Sequence, residues 1–337
     1  PLPNYEKDGT EMWYEAVFWS KMPDLNLDHE DVRKAIIDTA KFWLDMGVDG
    51  FRLDATSHFY EGKTQDNTEF LDWFQKELRR IKEDVYLVGE AWEPSQIRLE
   101  MYQSGLDSFF NFDISGQDSK LIEAIRKQQG ESFGRQMHAY HQAIYEMNPH
   151  AIDAPFLSNH DQGRSASYFM GDERHKRFAA NVYLLMPGRP YLYYGEEIGM
   201  TGSGKDENKR LAMPWGDGYE TSDPSDADYV MEDVSSVKEE RKNSKSLWHH
   251  YQKLLKIRSE YAFLYQKMNY TLKTWDPSVY AYEIDDYVML HSFHHEAQTL
   301  KMDGIYEIVE IISGDAKSQE DQLFLEPYTS IILKSKK

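Results

Sequence analysis

The sequence predicts an α/β protein, a (β/α)8 TIM barrel followed by a small antiparallel β-sandwich domain. Apolar strand-like runs alternate five times with amphipathic helical stretches, at the spacing of parallel βα units. Charged residues follow several of these strands, and the carboxyl ends of barrel strands form the face that carries active sites. After about residue 260, short alternating runs separated by Gly, Asp and Pro turns predict the small domain. A doubly wound sheet, which also binds ligands at strand carboxyl ends, is the alternative to the barrel.

The first predicted elements alternate regularly between helix and strand. Residues 30–47 have apolar residues at helical spacing and end at Gly47, a residue typical of helix C-termini. A strand at 48–54, a second amphipathic helix at 67–84 and a strand at 85–90 follow. These stretches predict two consecutive βα units.

The later predicted elements continue this order. They are strands at 106–113, 154–161 and 189–197 and helices at 117–129, 132–147 and 174–186. The polar stretch 202–245 predicts a long loop with one short helix.

Composition excludes several classes of function. The 337 residues carry 58 acidic and 38 basic side chains, a net charge of −20, which argues against nucleic acid or an anionic membrane surface as partner. The absence of cysteine excludes disulfides, thiol catalysis and cysteine-ligated metals. No run of about 18 apolar residues predicts a membrane span. The 23 Tyr and 8 Trp are numerous enough to suit binding to sugar faces.

Three carboxylates follow predicted strands. Asp54, Glu90 and Asp161 are expected to converge on one face, where they would serve either divalent-metal binding or glycoside cleavage. Arg52 lies two positions before Asp54, so a strand points both side chains to one side, and the guanidinium favours the ionised carboxylate that a nucleophile requires. Apolar surroundings are expected to keep Glu90 protonated as a general acid. A purely structural ion pair is the alternative for Arg52 and Asp54.

Four ordered motifs resemble signatures of the α-amylase family of retaining glycoside hydrolases. They are MPDLN at 22–26, GFRLDATSH at 50–58, GEAW at 89–92 and FLSNHDQ at 156–162. The MPDLN variant is typical of a bacterial subgroup between oligo-1,6-glucosidases and neopullulanases. The resemblance covers residues 1 to about 260, and the terminal β domain matches the family's domain C in position.

The resemblance implies three regions and a missing part. Residues 1–29 would be the end of the inserted domain B, 30–261 the C-terminal part of the barrel, and 262–337 domain C. The family's earliest signature, an Asp three residues before Asn-His, does not occur, and the first three barrel strands are not recognisable. The resemblance therefore implies a partial (β/α)8 TIM barrel with about strands 4 to 8. The chain is therefore expected to be the C-terminal part of a longer enzyme, inactive or barely active alone, with the N-terminal part as its partner.

The family's catalytic roles carry over by match. Asp54 would be the nucleophile that forms a covalent glycosyl-enzyme, and Glu90 would act first as acid and then as base. Asp161 would be the third carboxylate, which binds sugar hydroxyls and favours the distorted, oxocarbenium-like ring. Arg52 would hold Asp54, and His160 would bond the sugar in subsite −1.

Further positions receive roles from the same resemblance. Arg164 would lie near that subsite, and Trp92 would stack on the leaving-group side unless it packs the barrel rim. His58 would offer its main-chain oxygen to a structural calcium ion unless it is an ordinary turn residue; no cofactor is implied for the chemistry. Ser57 replaces the Lys of many α-amylases, which removes an acceptor-side contact, and Ala55 is similar to α-1,4-acting members.

The implied function is hydrolysis of α-1,4 bonds in starch or maltooligosaccharides, an α-glucan being the substrate. An oligo-1,6-glucosidase, a neopullulanase or a transglycosylase of the same family is the alternative. A non-catalytic carbohydrate-binding or scaffold protein on the same barrel is the alternative from another class, although the three retained carboxylates argue against it. A metal-dependent phosphatase or aldolase on a barrel is a more remote alternative than these. Bacterial secretion or cell-surface location would suit a polymer-degrading enzyme, but the sequence leaves the compartment open.

Overall fold

The computed structural model describes residues 5–7, 13–169, 172–216, 218, 221–231 and 234–336. The chain forms two compact units, which are described separately. Unit 1 contains residues 1–110 and 147–151, and unit 2 contains residues 111–146 and 152–337.

Unit 1 combines a parallel β-sheet with amphipathic helices. Its elements are β1 (Tyr5–Lys7), β2 (Trp13–Glu15), α1 (Glu30–Asp45), β3 (Gly50–Leu53), α2 (Thr64–Ile81), β4 (Tyr86–Gly89), α3 (Ser95–Met101) and β5 (Ser108–Asn111), whose last residue belongs to unit 2. β1 and β2 form an antiparallel pair, whereas β3, β4 and β5 are parallel neighbours. The predicted βα alternation is therefore present, and α3 is an element that the sequence analysis missed.

Local chemistry explains the ends of α1 and the start of β3. The His29 side chain accepts the main-chain N–H of Asp31 and so caps the first turn of α1. Gly47 follows the helix with a φ of +98°, which confirms the predicted C-terminus. Gly50 begins β3, where a Cβ atom would collide with the Tyr86 carbonyl. Only glycine therefore permits this close approach of β3 to β4.

Unit 2 begins with helices and short strands. Its next elements are α4 (Lys120–Lys127), α5 (Gly130–Met147, whose last residue belongs to unit 1), β6 (Ala154–Pro155), α6 (Ser165–Tyr168), α7 (Glu173–Leu184), α8 (Asp206–Lys209), α9 (Val237–Glu240) and α10 (Leu247–Glu260). The sequence analysis missed α10, although its buried residues recur at helical spacing: Leu247, Tyr251, Leu254 and Ile257.

The last two predicted barrel strands are shorter than expected. In the stretch 154–161, only Ala154 and Pro155 form a strand, β6. In the stretch 189–197, the pairing is a single parallel bridge from Tyr191 to Phe156. Pro155 and Pro190 lack the N–H group that a ladder requires, so they limit the pairing of both stretches. The predictions of full strands there were wrong in length but right in the parallel direction.

Two antiparallel sheets form the end of unit 2. Their strands are β7 (Thr271–Lys273), β8 (Val279–Ile284), β9 (Tyr287–Ser292), β10 (Gln298–Lys301), β11 (Tyr306–Ser313), β12 (Ala316–Gln319), β13 (Gln322–Leu325) and β14 (Ser330–Ser335). The larger sheet has the order β11-β14-β9-β8-β7, and the smaller one has the order β10-β13-β12. The predicted small antiparallel β-sandwich is therefore confirmed, while the boundary at residue 262 stays a prediction.

Both faces of the larger sheet are buried. One face packs against the smaller sheet, with Val279 and Leu290 in the same core cluster as Leu323. The other face packs against helices, and Tyr280 joins Phe178 in the largest core cluster. No helix in the described ranges combines the length and the apolar character that a bilayer crossing requires.

Candidate active site

Arg52, Asp54 and Glu90 meet at the carboxyl ends of β3 and β4. Arg52 Nη1 donates to Asp54 Oδ1 at 2.5 Å, which is the pairing predicted from their spacing. The other terminal nitrogen, Nη2, contacts Glu90 Oε2. The Asp54 side chain is 78% exposed, whereas that of Glu90 is 11% exposed. One guanidinium therefore serves two carboxylates in very different surroundings.

The main chain holds these two strand ends together. Leu53 is opposite Gly89 in the ladder, and the Glu90 N–H donates to the Leu53 carbonyl at 2.9 Å. The Glu90 carbonyl in turn accepts the N–H and the hydroxyl of Thr56, at 2.7 and 2.8 Å. Thr56 is completely buried, and the sequence analysis did not select it. These bonds place Asp54 and Glu90 side by side.

A left-handed residue turns the chain away immediately after Asp54. Ala55 has a φ and a ψ of 45°, and a 3-10 turn over Thr56–His58 follows. A non-glycine residue in this conformation is uncommon and costs conformational energy. β3 ends at Leu53 and the turn begins directly after Asp54, so the carboxylate projects beyond the strand and remains exposed.

The surroundings act on Glu90 in two opposite directions. Val88 and Ala91 are almost completely buried beside it, and such burial favours the neutral carboxyl. The Arg52 contact favours the ionised form instead. The predicted apolar environment is present, but it is not the only influence on this carboxyl. The side chain of Trp92, two residues further on, is about half exposed, and its stacking role stays a prediction.

His58 is engaged with a neighbouring side chain. Its Nδ1 lies 2.6 Å from Glu61 Oε2, and its ring packs edge-on against Phe18. Across the residues that the structure describes, no group of three or more His, Cys, Asp and Glu side chains is placed to hold a metal ion. Calcium binding by the main-chain oxygen of His58 stays a prediction.

A second carboxylate group lies in unit 2, on the loop after β6. Asp161 Oδ2 lies 3.2 Å from His160 Nε2, and Asp161 Oδ1 accepts Arg210 Nη2 at 2.9 Å. The Asn159 side-chain oxygen accepts the main-chain N–H groups of Asp161 and Gln162, both at 2.9 Å, which shapes the loop. Arg210 comes from the polar stretch predicted as a loop and was not selected from the sequence.

A buried carboxyl lies behind this loop. Glu196 Oε1 accepts the hydroxyl of Ser158, which precedes Asn159, at 2.7 Å, and Oε2 accepts the Tyr183 hydroxyl at 2.9 Å. Burial raises the pKa of Glu196 to about 7, although these two hydrogen bonds oppose the increase. The sequence analysis missed this network, because Ser158 and Glu196 are distant in the chain.

Arg164 is completely buried. Its Nη1 donates to the Tyr194 carbonyl at 2.6 Å, and its guanidinium carbon lies 4.6 and 4.5 Å from the ring centres of Tyr193 and Tyr194. Cation–π contacts of this kind are favourable when desolvated. The position of Arg164 near subsite −1 stays a prediction.

Comparison with known proteins identifies the family of this chain. The family model described as Alpha amylase, catalytic domain, matches residues 4–267. Alpha-amylase 3 of Dictyoglomus thermophilum is 35% identical over 331 residues, covering 96% of this chain and 65% of the relative. Alpha-amylase SusG of Bacteroides thetaiotaomicron is 30% identical over 328 residues, covering 89% of this chain and 46% of the relative. The chain thus spans roughly half to two thirds of the length of these relatives.

Solved structures share the fold over nearly the whole chain. Eubacterium rectale Amy13B matches with a TM-score of 0.93 and 31% identity, covering 99% of this chain and 69% of that one. The alpha-amylase from H. orenii matches with a TM-score of 0.86 and 30% identity, covering 99% and 70%. These likenesses confirm the predicted partial (β/α)8 barrel with its C-terminal β domain. By its sequence, its motifs and its fold, the chain belongs to the alpha-amylase family.

Proposed function

We propose that the complete protein carrying this chain is a retaining α-glucan hydrolase that cleaves α-1,4-glucosidic bonds in starch and maltooligosaccharides. The observation that carries this proposal is the contrast between Asp54 and Glu90, one exposed and one largely buried, on either side of Arg52. Two carboxyl groups in contrasting environments suit the division of roles in glycoside cleavage. The alpha-amylase names of the relatives support the substrate class.

The first proposed step forms a glycosyl-enzyme. An Asp54 carboxylate oxygen attacks the anomeric carbon while Glu90 gives its proton to the departing glycosidic oxygen. Arg52 holds the Asp54 carboxylate in place through the 2.5 Å hydrogen bond. The bond to the leaving sugar breaks as the bond to Asp54 forms, so the nucleophile must be ionised and exposed at this stage.

The second proposed step releases the sugar. Glu90, now ionised, takes a proton from water, the water oxygen attacks the anomeric carbon, and Asp54 leaves. The Arg52 contact favours this ionised form of Glu90, whereas burial favours the protonated form that the first step needs. The two opposing influences suit a group that must alternate between acid and base. Carboxylates and water suffice for this chemistry, and calcium at His58 is a separate prediction.

Asp161 and His160 are proposed to bind sugar hydroxyls in subsite −1. Their side chains are 33% and 47% exposed, so both are accessible to a ligand. Hydrogen bonds from these groups accelerate the reaction only as far as they strengthen in the transition state. Arg164 is proposed to lie near the same subsite, and Trp92 is proposed to stack on the leaving-group side.

Cleavage of α-1,6 bonds or glycosyl transfer is the second candidate. Other relatives are named oligo-1,6-glucosidase and 4-alpha-glucanotransferase, at 24% and 28% identity. These activities use the same two-step chemistry and differ in the acceptor that attacks the glycosyl-enzyme or in the linkage that is bound. Ala55, the residue after the proposed nucleophile, is similar to α-1,4-acting members and therefore favours cleavage of α-1,4 bonds.

The N-terminal part of the same enzyme is proposed as the partner of this chain. Among the strands that the structure describes, β3 lies at the edge of its sheet and pairs with β4 alone. Phe42, Trp43 and Met46 on and just after α1 are also exposed, at 58%, 46% and 66%. An unpaired parallel edge beside apolar surface is normally covered in a soluble barrel.

The test is a product analysis with the full-length protein. Maltoheptaose and isomaltotriose are supplied separately, and the anomer released first is identified by 1H NMR. We expect maltoheptaose to be cleaved to shorter maltooligosaccharides whose new reducing ends are first seen as the α-anomer. Glu90→Gln should stop the release of these products. Initial release of the β-anomer would contradict retention, and preferential cleavage of isomaltotriose would favour the second candidate. No hydrolysis of either sugar would favour a non-catalytic binding protein.

A further inference from the structure

We propose that Lys209 and Arg210, which end and follow α8, are positioning residues that hold Asp161 in its working orientation. This inference rests on the proposed function of Asp161 in sugar binding. It concerns two cations that lie about 50 residues further along the chain than the loop they contact.

Asp161 is held at its main chain and at its side chain. Its N–H is accepted by the Asn159 side chain at 2.9 Å, and its carbonyl accepts Lys209 Nζ at 2.8 Å. Its carboxylate contacts His160 through Oδ2 and Arg210 through Oδ1, at 3.2 and 2.9 Å. These contacts restrict both the position of the loop and the rotation of the carboxylate.

Arg210 contacts two consecutive residues of the loop. Its Nε donates to the His160 carbonyl at 3.1 Å, while its Nη2 donates to the Asp161 carboxylate. A guanidinium has donors in a fixed planar arrangement, so it sets the direction of both acceptors together, which a lysine cannot do. Arg210 is therefore suited to orientation, and not only to charge neutralisation.

The segment that carries the two cations is itself anchored. The Tyr193 hydroxyl donates to the Lys209 carbonyl at 3.1 Å, and the Tyr194 hydroxyl donates to the Leu211 carbonyl at 2.7 Å. These are the two tyrosines against which Arg164 is buried. The chain of contacts therefore runs from Arg164 through the tyrosine pair to residues 209–211 and then to Asp161.

Asp206 and Asn208 complete the anchoring. Asp206 Oδ1 accepts Lys209 Nζ at 2.9 Å, and its Oδ2 lies 3.5 Å from Arg210 Nη2. The Asn208 side chain accepts the main-chain N–H groups of Asp228 and Tyr229, at 2.9 and 3.1 Å. The positions of both cations are thus set by hydrogen bonds on either side of them.

The contacts of Lys209 and Arg210 leave Asp161 able to bind a ligand. A carboxylate oxygen can accept about two hydrogen bonds, so each oxygen retains an acceptor position beyond its contact with His160 or Arg210. Arg210 is 42% exposed, and a solvent-exposed ion pair of this kind contributes little to folding stability. The expected consequence of the contact is a defined carboxylate direction, which affects the reaction more than the stability.

The experiment measures kcat and KM on a chromogenic maltooligosaccharide with the full-length protein. The variants are Arg210→Ala, Arg210→Lys and Lys209→Met. Lys205→Met is the matched control, because Lys205 lies on the same segment and pairs with Asp228 instead of Asp161. We expect Arg210→Ala to lower kcat/KM by roughly 10²-fold, as for a misplaced reacting group. Arg210→Lys should fall between Arg210→Ala and the wild type, and Lys205→Met should match the wild type.

Added guanidinium ion distinguishes positioning from a merely structural role. Low guanidinium concentrations should raise the rate of Arg210→Ala and leave Asp161→Asn unchanged, at an unaltered thermal midpoint. Wild-type kinetics in Arg210→Ala would overturn the inference. A loss of rate that guanidinium does not restore, together with a lowered thermal midpoint of unfolding, would also overturn it. A wild-type protein without activity on any α-glucan would overturn the proposed function and this inference together, whereas the former results would leave the proposed function intact.

Discussion

The carboxylates of unit 1 and unit 2 are held by different kinds of contact. In unit 1, one cation serves two carboxylates, and Arg52 is only two residues from Asp54. In unit 2, Asp161 receives a cation from a distant segment, and a buried Glu196 lies behind its loop. Unit 1 therefore relies on strand geometry, whereas unit 2 relies on the return of a long loop.

This difference indicates where each group is vulnerable. The Arg52–Asp54 pair forms wherever β3 forms, because a period-two strand places both side chains on one side. The Asp161 contacts require residues 209–210 to be in place, which depends on hydrogen bonds from Tyr193 and Tyr194. A change that leaves every strand intact can thus still disturb unit 2.

The largest effect is expected at Glu90. Glu90→Gln removes the proposed acid and base, and general acid–base catalysis contributes typically about 10²–10⁴-fold to the rate. A 2,4-dinitrophenyl leaving group needs little protonation, so its glycosyl-enzyme should still form in this variant. Stopped-flow measurement of dinitrophenolate release tests this expectation. Equal losses for dinitrophenyl and sugar leaving groups would exclude the acid role.

Arg52→Met is expected to lower kcat/KM by about 10²-fold, because it removes the group that orients both carboxylates. It leaves Asp54 without its hydrogen-bonded cation and leaves the largely buried Glu90 without its charge partner. Lys82→Met is the control in unit 1, since Lys82 pairs with Asp49, which precedes β3. The steady-state kinetics of the two variants are measured in parallel. Wild-type kcat/KM in both variants would refute the orienting role of Arg52.

Glu196 is expected to make stability depend on pH. Burial raises its pKa from 4.5 to about 7, so the folded state binds this proton more tightly than the unfolded state. The contribution of Glu196 to the free energy of unfolding is complete below pH 4.5 and is lost as the pH rises through 7. Since a tenfold change in proton affinity corresponds to about 1.4 kcal/mol, the loss is about 3 kcal/mol.

Glu196→Gln keeps one oxygen that can accept from Ser158 or Tyr183, and its NH2 group can donate to the other hydroxyl, but the side chain cannot ionise. Its free energy of unfolding, relative to that of the wild type, should therefore increase between pH 4.5 and pH 8. Urea unfolding at both pH values provides the measurement. A difference that does not change with pH would show that Glu196 is not the titrating group.

The smallest effect on activity is expected at Asn181, which joins α7 to the larger antiparallel sheet. Its Nδ2 donates to the hydroxyls of Ser313 and Ser330 at 2.7 and 3.1 Å, and its Oδ1 lies 2.7 Å from His250 Nε2. Asn181→Ala leaves these groups unsatisfied and should cost about 2 kcal/mol of unfolding free energy.

The kcat of Asn181→Ala should remain that of the wild type, because its contacts lie at the terminal domain. The exposed Asn269→Ala is the control, with an expected change within about 0.5 kcal/mol. Thermal unfolding and initial rates together provide the measurement. A lowered kcat at full stability would show that the terminal domain influences the reaction.

Sequence reasoning succeeded where the structure depends on neighbouring residues. Helices α1 and α2 and strands β3 to β5 follow from periodicity, the C-terminus of α1 from Gly47, and the Arg52–Asp54 pair from its spacing. It overestimated the strands at 154–161 and 189–197, where prolines and hydrogen-bonded turns limit pairing. It also missed α10, because the charged residues before that helix hid its apolar spacing.

The sequence by itself determined the α/β class, the family motifs and the candidate carboxylates, because each is encoded within one strand, helix or short motif. The tertiary structure decided that Glu90 also contacts Arg52, that Arg164 is buried between two tyrosines, and that Arg210 reaches Asp161. These contacts join residues 30 to 50 positions apart, whose distance depends on how the chain returns after a strand or loop. Local periodicity carries no information about that return, so only the packed structure could identify these partners.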